Sequence, residues 1–520
     1  MKRLVLPLLA VVPMFAAPNC DALKSLSLAN TTITDVKSVA SGPFSMPGGR
    51  GNARAEELPA FCQVHGLIKP ASTSAINFEV WLPAENWNGK LQVVGNGGLA
   101  GTISYPAMVT ALKNGFATAS TDTGHTTTEA RTWLQDRERL IDYSYRGLHL
   151  TTVDAKAIAD AYYSQQPKYA YYSGCSTGGK QGLMEAQRYP ADFDGILAGD
   201  AANFWTHQMV SEVWNGVVTS SPETNLPKEK IQLVQDAALA ACDALDGATD
   251  GLVSDPARCH FDPAKLQCKG GDSATCLTAA QVDAVKKLYS GPMNPRTGKN
   301  IYPGFYPGGE MGWAAGTVIN RTNTSGVSSN DFWSYAVFQK PEWAFRTIDF
   351  DRDVQTLDEK FASLMNATDP NLEEFRKLGH KLLYYHGAAD PLIPAANGIA
   401  YYETVINAQK GIERTQGFYR AFLVPGLYHC AGGPGPTAFG TAQPAPASQQ
   451  DAEHDAMRSL ERWVEQGNAP AKIVATKYVE NNPTKGIAFQ RPLCPYPQVA
   501  KYKGSGDMND AANFTCALTR

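Results

Sequence analysis

Alternating and clustered apolar residues predict a chain in which strands and helices follow one another. Apolar side chains recur at every second position in residues 76–82, which predicts a strand with one buried face. Residues 90–94, 116–120 and 168–173 are shorter apolar runs that also predict strands, whereas the apolar positions of 151–165 follow a helical period. This alternation indicates a largely parallel sheet covered by helices on both faces.

The first alternating part ends with a helix predicted over 180–189. After a long interruption, the alternation returns with strands predicted over 381–386 and 418–424 and a helix over 451–466. From 204 to 372 the pattern fails, and five tryptophans concentrate in that stretch: Trp205, Trp214, Trp313, Trp333 and Trp343. We expect this stretch to form a separate unit inserted into the α/β body.

Charge and the amino terminus narrow the class of protein. The formal net charge is -4, so the chain lacks the basic excess that nucleic-acid binding requires. Lys2 and Arg3 precede an apolar run over 4–17 that has the length of a signal peptide and is too short to span a membrane. We therefore predict a signal peptide over 1–18 and a secreted mature protein, extracellular or periplasmic, with no membrane partner.

Ten cysteines in an exported chain predict disulfides, although sequence alone does not fix their pairing. Loop-closure entropy favours partners that lie close in the chain. That preference gives the pairs Cys268 with Cys276, Cys242 with Cys259, Cys494 with Cys516, and Cys20 with Cys62, and it leaves Cys175 for Cys430.

The segment Gly174-Cys175-Ser176-Thr177-Gly178 matches the GxSxG pattern. Five-residue matches also occur by chance, but this one lies between a predicted strand and a predicted helix, as a nucleophile elbow requires. We therefore assign Ser176 as a candidate nucleophile.

A serine hydroxyl needs a base, and the base needs a carboxylate that orients it. Asp390 follows the predicted strand 381–386, and His429 follows the strand that ends at 424, which gives the order serine, acid, histidine. Asp194 and Asp200 are competing acids, and we expect His386 to be a structural hydrogen-bonding residue. A Cys175–Cys430 bridge would bring the serine and histidine loops together, because bonded cysteines keep their Cα atoms within about 7 Å.

Acyl transfer also needs donors for the developing oxyanion. The backbone N–H of Thr177 is one expected donor, and Gly98, in the glycine turn after the strand 90–94, is the other. A plain tight turn is the alternative interpretation of this glycine segment.

These features together predict an α/β-hydrolase fold with a large inserted lid domain. The first catalytic part covers 19–204, the lid 205–373 and the second catalytic part 374–520. Within the lid, Asp243, Asp246 and Asp250 lie in one short loop that Cys242 and Cys259 flank. Hard oxygen ligands at this density fit Ca²⁺, with the carbonyl oxygens of Ala248 and Leu252 completing the shell, although a solvated acidic turn remains an alternative.

The motifs resemble those of the tannase and feruloyl esterase family, which includes the bacterial mono(hydroxyethyl) terephthalate hydrolases. The resemblance covers nearly the whole mature chain, and it rests on four segments: 20–23, 174–180, 386–390 and 429–433. It implies a triad of Ser176, His429 and Asp390 joined by a Cys175–Cys430 disulfide, a lid over the active site, and a structural Ca²⁺ in the acidic loop.

The resemblance also implies an ester of a flat aromatic acid as substrate, such as a plant cell-wall feruloyl ester. Ferulate or a related hydroxycinnamate is the expected acyl group, and galloyl esters and terephthalate monoesters are the alternatives. A second carboxylate on the substrate would favour an arginine in the lid. Residues 301–320 contain no Lys or Arg, which disfavours the terephthalate type, while Arg321 and Arg346 keep it open. A catalytically silent aromatic or glycan binder is the alternative from another class.

Overall fold

The computed structural model describes residues 19–47, 55–315 and 328–518. The predicted signal peptide and Arg321 lie outside the described residues. No helix in the described ranges combines the length and the apolar character that crossing a bilayer would require.

The strands and helices follow the alternation that the sequence predicts. The strands are β1 (Thr31–Val39), β2 (Gly42–Phe44), β3 (Glu56–Leu58), β4 (Phe61–Ile68), β5 (Ile76–Pro83), β6 (Lys90–Val94), β7 (Ala117–Thr121), β8 (Tyr169–Cys175), β9 (Gly195–Gly199), β10 (Lys381–Gly387), β11 (Tyr419–Val424), β12 (Ile473–Tyr478), β13 (Ile487–Leu493), β14 (Gln498–Tyr502) and β15 (Phe514–Leu518). The α-helices are α1 (Tyr105–Lys113), α2 (Arg137–Ile141), α3 (Gly147–Tyr163), α4 (Thr177–Arg188), α5 (Trp205–Thr219), α6 (Lys228–Cys242), α7 (Ala279–Ser290), α8 (Ser328–Asp331), α9 (Arg352–Met365), α10 (Glu373–Lys377), α11 (Ala395–Ala408), α12 (Ile412–Gln416) and α13 (Ala456–Gln466).

A nine-stranded mixed sheet forms the centre of the molecule, in the order β1-β4-β5-β7-β6-β8-β9-β10-β11. The strands from β1 to β7 pair antiparallel, and those from β7 through β6, β8, β9 and β10 to β11 pair parallel. The carboxyl ends of the parallel strands therefore meet at one edge of the sheet, where β8, β10 and β11 each lead into a loop.

Helices cover both faces of this sheet. Apolar side chains of α3, α4 and α11 pack with one face, while those of α1 and α13 pack with the other. Strands covered in this way read as continuous apolar runs, because both of their faces are buried. The predicted α/β-hydrolase fold is confirmed.

A helical insertion connects β9 to β10 and contains α5 through α10. Two apolar clusters lie largely within it, one around Trp205, Met209 and Trp333 and the other around α6 and α7. The predicted lid, residues 205–373, falls in this insertion.

All three predicted helices begin at other residues than the apolar pattern predicts. Helix α3 begins at Gly147 and not at 151, because the helical turns of residues 142–146 continue directly into it. Helix α4 begins at Thr177, one turn before 180, because burial against the sheet overrides the low helix propensity of Gly178 and Gly179. Helix α13 begins at Ala456 and not at 451, because the side chain of Asp455 accepts a hydrogen bond from the Arg458 N–H and caps the helix there.

Candidate active site

Ser176 occupies a sharp turn between β8, which ends at Cys175, and α4, which begins at Thr177. Its backbone angles, φ 65° and ψ −124°, are unusual for a residue with a side chain. A Cβ on Gly178 would lie 2.8 Å from the Asn96 carbonyl oxygen, so glycine permits close contact between α4 and the loop after β6. The turn therefore presents the serine hydroxyl at the edge of the sheet.

The structure brings the three candidate catalytic side chains into one hydrogen-bonded chain. The Nε2 atom of His429 lies 2.8 Å from the Ser176 hydroxyl oxygen. The Nδ1 atom of the same ring lies 2.7 Å from an Asp390 carboxylate oxygen. In this geometry Asp390 holds the proton on Nδ1, which leaves Nε2 as the acceptor for the serine proton.

Asp390 is held in place by its own loop. Its second carboxylate oxygen accepts hydrogen bonds from the N–H groups of Leu392 at 2.8 Å and Ile393 at 2.9 Å. Burial opposes ionisation of Asp390, but the positive charge of His429, its hydrogen bond and the nearby His386 ring outweigh it and keep the pKa of Asp390 well below the usual range.

The charges around His429 raise its pKa, whereas those around Asp390 lower the pKa of that carboxyl group. Burial disfavours the imidazolium, but the charge and hydrogen bond of Asp390, followed by the charges of Asp200 and Glu212, raise the pKa of His429 to about 9. The site therefore stabilises the imidazolium that forms when the histidine accepts a proton.

The cysteines pair as local chain separation predicts, and the predicted disulfides are confirmed. The pairs are Cys20–Cys62, Cys175–Cys430, Cys242–Cys259, Cys268–Cys276 and Cys494–Cys516. The second of these joins the residue before Ser176 to the residue after His429 across 255 positions of sequence. It therefore links the serine and histidine loops covalently.

Asp200, which the sequence offered as a competing acid, lies beneath these loops. Its two carboxylate oxygens accept hydrogen bonds from the N–H of Gly387 at 2.7 Å and the N–H of Cys430 at 3.1 Å. Burial raises the pKa of Asp200 to about 6, and the neighbouring charge of Asp390 adds to the rise. This carboxylate connects the end of β10 to the histidine loop, a relationship that no local motif reveals.

His386 has the structural role that we expected. Its Nε2 donates to the carbonyl oxygen of Ile393 at 2.9 Å, and its Nδ1 accepts from the Tyr384 hydroxyl at 2.6 Å. Both ring nitrogens are thus occupied, and the fully buried side chain braces the acid loop from below.

The two candidate oxyanion residues lie side by side. The Gly98 carbonyl oxygen accepts hydrogen bonds from the Thr177 hydroxyl at 2.7 Å and the Tyr143 hydroxyl at 2.9 Å. These two bonds fix the orientation of the glycine loop relative to the start of α4. Tyr143 was not identified from the sequence, because it lies 45 residues from the carbonyl oxygen that it contacts.

A cavity of about 480 Å³ opens above the Ser176 hydroxyl, and both Thr177 and Gly98 line it. Residues of α5, together with Leu392 and Ile393, also line it. A cavity of this size and partly apolar lining suits a small organic ligand.

The acidic loop folds around its own carboxylates. Asp243 accepts hydrogen bonds from the N–H groups of Asp250 and Gly251, and Asp246 accepts from the N–H of Ala248. Burial, followed by the charges of Asp250 and Asp243, raises the pKa of Asp246 to about 6. A cation would relieve this crowding of like charge, so the donor set fits Ca²⁺.

One contact limits how such an ion would be held. Arg491 donates to one carboxylate oxygen of Asp250 at 2.6 Å, and the Leu252 N–H donates to the other at 3.2 Å. Among the described residues, the ligand atoms of these three carboxylates do not all lie within 4.8 Å of one another. Ion binding would therefore draw them closer together.

Comparison with known proteins agrees with this architecture. The family model described as "Tannase and feruloyl esterase" matches residues 62–517. An uncharacterized esterase of Xanthomonas campestris is 39% identical over 96% of this chain and 91% of its own length. Feruloyl esterase C of Talaromyces stipitatus is 32% identical over 96% of this chain and 94% of its own length.

A solved structure extends the likeness to the whole fold. The crystal structure of feruloyl esterase B from Aspergillus oryzae superposes with a TM-score of 0.88 at 29% identity, covering 96% of this chain and 99% of that one. The chain therefore belongs to the tannase and feruloyl esterase family and is a carboxylic ester hydrolase.

Proposed function

We propose that this protein is a secreted esterase that releases ferulate or a related hydroxycinnamate from its ester through an acyl-enzyme intermediate. The observation that carries the proposal is the hydrogen-bonded chain from Ser176 through His429 to Asp390 at the floor of the 480 Å³ cavity. A non-catalytic aromatic or glycan binder would have no need for this arrangement.

In the first half of the reaction, the Ser176 oxygen attacks the ester carbonyl carbon while Nε2 of His429 takes the serine proton. Asp390 stabilises the imidazolium through its 2.7 Å hydrogen bond. The tetrahedral intermediate then collapses, and His429 returns the proton to the leaving alcohol oxygen. The acyl group stays on Ser176 as an ester.

In the second half, His429 takes a proton from water, and the hydroxide oxygen attacks the acyl carbon. Collapse of the second tetrahedral intermediate breaks the bond to the serine oxygen, which recovers its proton from His429 and releases the acid. The backbone N–H groups of Thr177 and Gly98 are the proposed donors to the oxyanion in both halves, each worth about 3 to 4 kcal/mol.

Several observations support an aromatic acyl group. Relatives named as feruloyl esterases align with nearly the whole chain. Trp205 and Met209 contribute flat and adaptable apolar surface to the cavity. Galloyl esters remain an alternative acyl class.

The terephthalate alternative lacks a partner for its second carboxylate among the described residues. None of those that line the cavity is Lys or Arg. Arg346 instead is exposed and donates to the side chain and carbonyl oxygen of Ser220. Arg321, the other candidate, lies outside the described residues.

Ca²⁺ binding in the acidic loop is part of the proposal. Asp243, Asp246 and Asp250 would supply carboxylate oxygens, and Ala248 and Leu252 would supply carbonyl oxygens. None of these five residues lines the cavity above Ser176, so the ion would stabilise the fold and take no part in the reaction. Secretion is supported by five disulfides, which persist in oxidising compartments.

The test is hydrolysis of methyl ferulate, methyl gallate and a terephthalate monoester by the purified protein beside Ser176→Ala, with release of free acid as the readout. We expect the wild type to release ferulate and the variant to release none, although it keeps the same thermal unfolding midpoint. Absence of release from every ester, with Ca²⁺ present and disulfides intact, would instead support the binder.

A further inference from the structure

A group of three potential metal ligands lies outside the active-site cavity, where side chains of α3 and α4 meet. It comprises His149 on α3, Glu185 on α4 and Asp192 in the turn after α4. One ring nitrogen and two carboxylate oxygens, one atom from each residue, all lie within 4.8 Å of one another. None of the three residues lines the cavity above Ser176. The group therefore calls for an explanation other than the hydrolysis of esters.

Glu185 is the most deeply buried member of this group. The residue is 1% exposed, and neither of its carboxylate oxygens accepts a hydrogen bond from any described residue. A buried carboxylate is normally paired with a positive charge, bound to a metal or supplied with hydrogen-bond donors, because an uncompensated charge is unstable away from water. Glu185 lacks such donors, and a cation held between it and its two neighbours would provide the compensation.

The other two members of the group are held in a fixed orientation. The Nδ1 atom of His149 lies 2.6 Å from an Asp192 carboxylate oxygen. The ring of Tyr189 stacks on the imidazole, with centroids 3.7 Å apart and planes inclined by 6°. Lys156, also on α3, donates to the backbone carbonyl oxygen of Asp192 at 2.5 Å. These contacts orient the imidazole and the carboxylate beside Glu185, as outer contacts commonly orient the ligands of a metal.

The donor set distinguishes this group from the acidic loop of the lid. An imidazole nitrogen suits Zn²⁺ and other divalent transition metals, whereas Ca²⁺ and Mg²⁺ prefer oxygen ligands alone. Ligand atoms around a tetrahedral Zn²⁺ lie about 3.3 to 3.5 Å apart, so side-chain shifts of roughly 1 Å would enclose the ion. The side chain of His149 is 24% exposed, which gives the ion a path from solvent and gives water access as a fourth ligand.

We propose that His149, Glu185 and Asp192 form a structural binding site for Zn²⁺ or a similar divalent transition metal ion. The bound ion bridges α3 to α4, the helix whose first residue follows Ser176. It compensates the buried charge of Glu185 and stabilises the packing of the two helices, and it takes no part in the reaction. The inference goes beyond the proposed function and does not depend on which ester is hydrolysed.

A proton is the competing occupant of this group. Burial, followed by the charge of Asp192, raises the pKa of Glu185 well above its usual range. In the absence of a metal, the Glu185 carboxyl group would therefore stay neutral and share its proton with Asp192. The two occupants respond differently to Glu185→Gln, because the amide resembles a protonated carboxyl group in size and hydrogen bonding but is a poor ligand for Zn²⁺.

The test measures Zn²⁺ binding by the purified wild type, Glu185→Gln and His149→Gln, each stripped of metal and then supplied with Ca²⁺ before Zn²⁺ is added. We expect the wild type to retain one equivalent of Zn²⁺ after dialysis and to gain a higher thermal unfolding midpoint. In each variant the affinity should fall at least about 100-fold, since loss of a ligand costs more than loss of an outer contact. The unfolding midpoint of both variants should no longer respond to Zn²⁺.

His454→Gln is the matched control. The Nδ1 atom of His454 lies 2.9 Å from a carboxylate oxygen of Asp451, much as His149 lies beside Asp192. Among the described residues, however, His454 belongs to no group of three close ligand atoms. This variant should bind Zn²⁺ as the wild type does. An anomalous diffraction map recorded at the zinc absorption edge should place the ion between His149, Glu185 and Asp192.

A wild type that retains no Zn²⁺ would overturn the inference and leave the shared proton as the explanation of Glu185. Tight binding that persists in Glu185→Gln and His149→Gln would overturn it as well, because the ion would then be held elsewhere. An equal loss of binding in His454→Gln would have the same meaning. Each of these outcomes leaves the proposed esterase function in place, since hydrolysis of the esters is measured separately.

Discussion

The Cα atoms of Cys175 and Cys430 lie 6.0 Å apart, and their disulfide joins the neighbours of two residues that share a hydrogen bond. Ser176 and His429 are 253 positions apart in the chain, yet their side chains meet at 2.8 Å. Asp200 supports the same junction through the Cys430 N–H. The nucleophile and its base are therefore connected by a covalent bond as well as by the sheet.

Removal of this disulfide should reduce both catalysis and stability. In the double variant Cys175→Ala, Cys430→Ala we expect kcat to fall tenfold or more, roughly, because small displacements of His429 misalign proton transfer. Loss of the cross-link should lower the free energy of unfolding by about 2 to 5 kcal/mol. Steady-state kinetics and denaturant unfolding measure the two effects.

The matched control replaces both Cys268 and Cys276. These residues form a disulfide within the lid and are 8 positions apart in sequence. It should leave kcat close to that of the wild type. Equal losses of kcat in both double variants would show that the disulfide beside the active site has no specific role in positioning His429.

The raised pKa of His429 predicts an alkaline shift of the activity profile. The histidine accepts the serine proton only when neutral, so activity is lost as the pH falls through its pKa. Because Asp390 raises that pKa from 6.5 to about 9, the acidic limb of kcat/KM should have its midpoint above 6.5.

The measurement is kcat/KM against pH with methyl cinnamate, whose acyl group does not titrate in this range. Asp390→Asn should move the midpoint toward lower pH and also reduce the plateau rate. An acidic limb with its midpoint below 6.5 in the wild type would contradict the stabilised imidazolium.

The hydroxyl of Tyr143 should support the oxyanion site without touching the substrate. Tyr143→Phe removes one of the two hydrogen bonds to the Gly98 carbonyl oxygen and leaves the one from Thr177. We expect kcat to fall by about threefold to tenfold with little change in KM, since the loss corresponds to one neutral hydrogen bond. A change confined to KM would indicate that Tyr143 acts on substrate binding instead.

Ca²⁺ should stabilise the folded protein through the acidic loop. Chelation should lower the thermal unfolding midpoint, and Ca²⁺ but not Mg²⁺ should restore it. At a concentration one hundred times the Kd, the gain is about 2.7 kcal/mol.

Asp246→Asn should lose most of the calcium-dependent stabilisation, whereas Asp236→Asn, on the preceding helix α6, should retain it. If neither the chelator nor Ca²⁺ changes the unfolding midpoint, the loop is a solvated acidic turn and not a calcium site.

Local patterns in the sequence predicted much of the fold and the main candidate residues of the active site. The apolar runs predicted β6, β10 and most other central strands, because a strand buried on both faces is apolar along most of its length. The GxSxG segment identified Ser176, because the turn after β8 needs small residues at fixed positions. Asp390 and His429 followed from their places after strands, and the cysteines followed from short loop lengths.

The tertiary structure alone decided which further side chains meet at that site. Asp200 and Tyr143 gain their roles from burial and from partners on other elements, which no local motif reveals. Whether a carboxylate is paired, buried or free to meet a ligand depends on distances through space, and helical and strand periodicity do not encode those distances. The sequence thus determined the elements and the candidate chemistry, while packing of α5 and the loops around Ser176 determined the surface that a substrate meets.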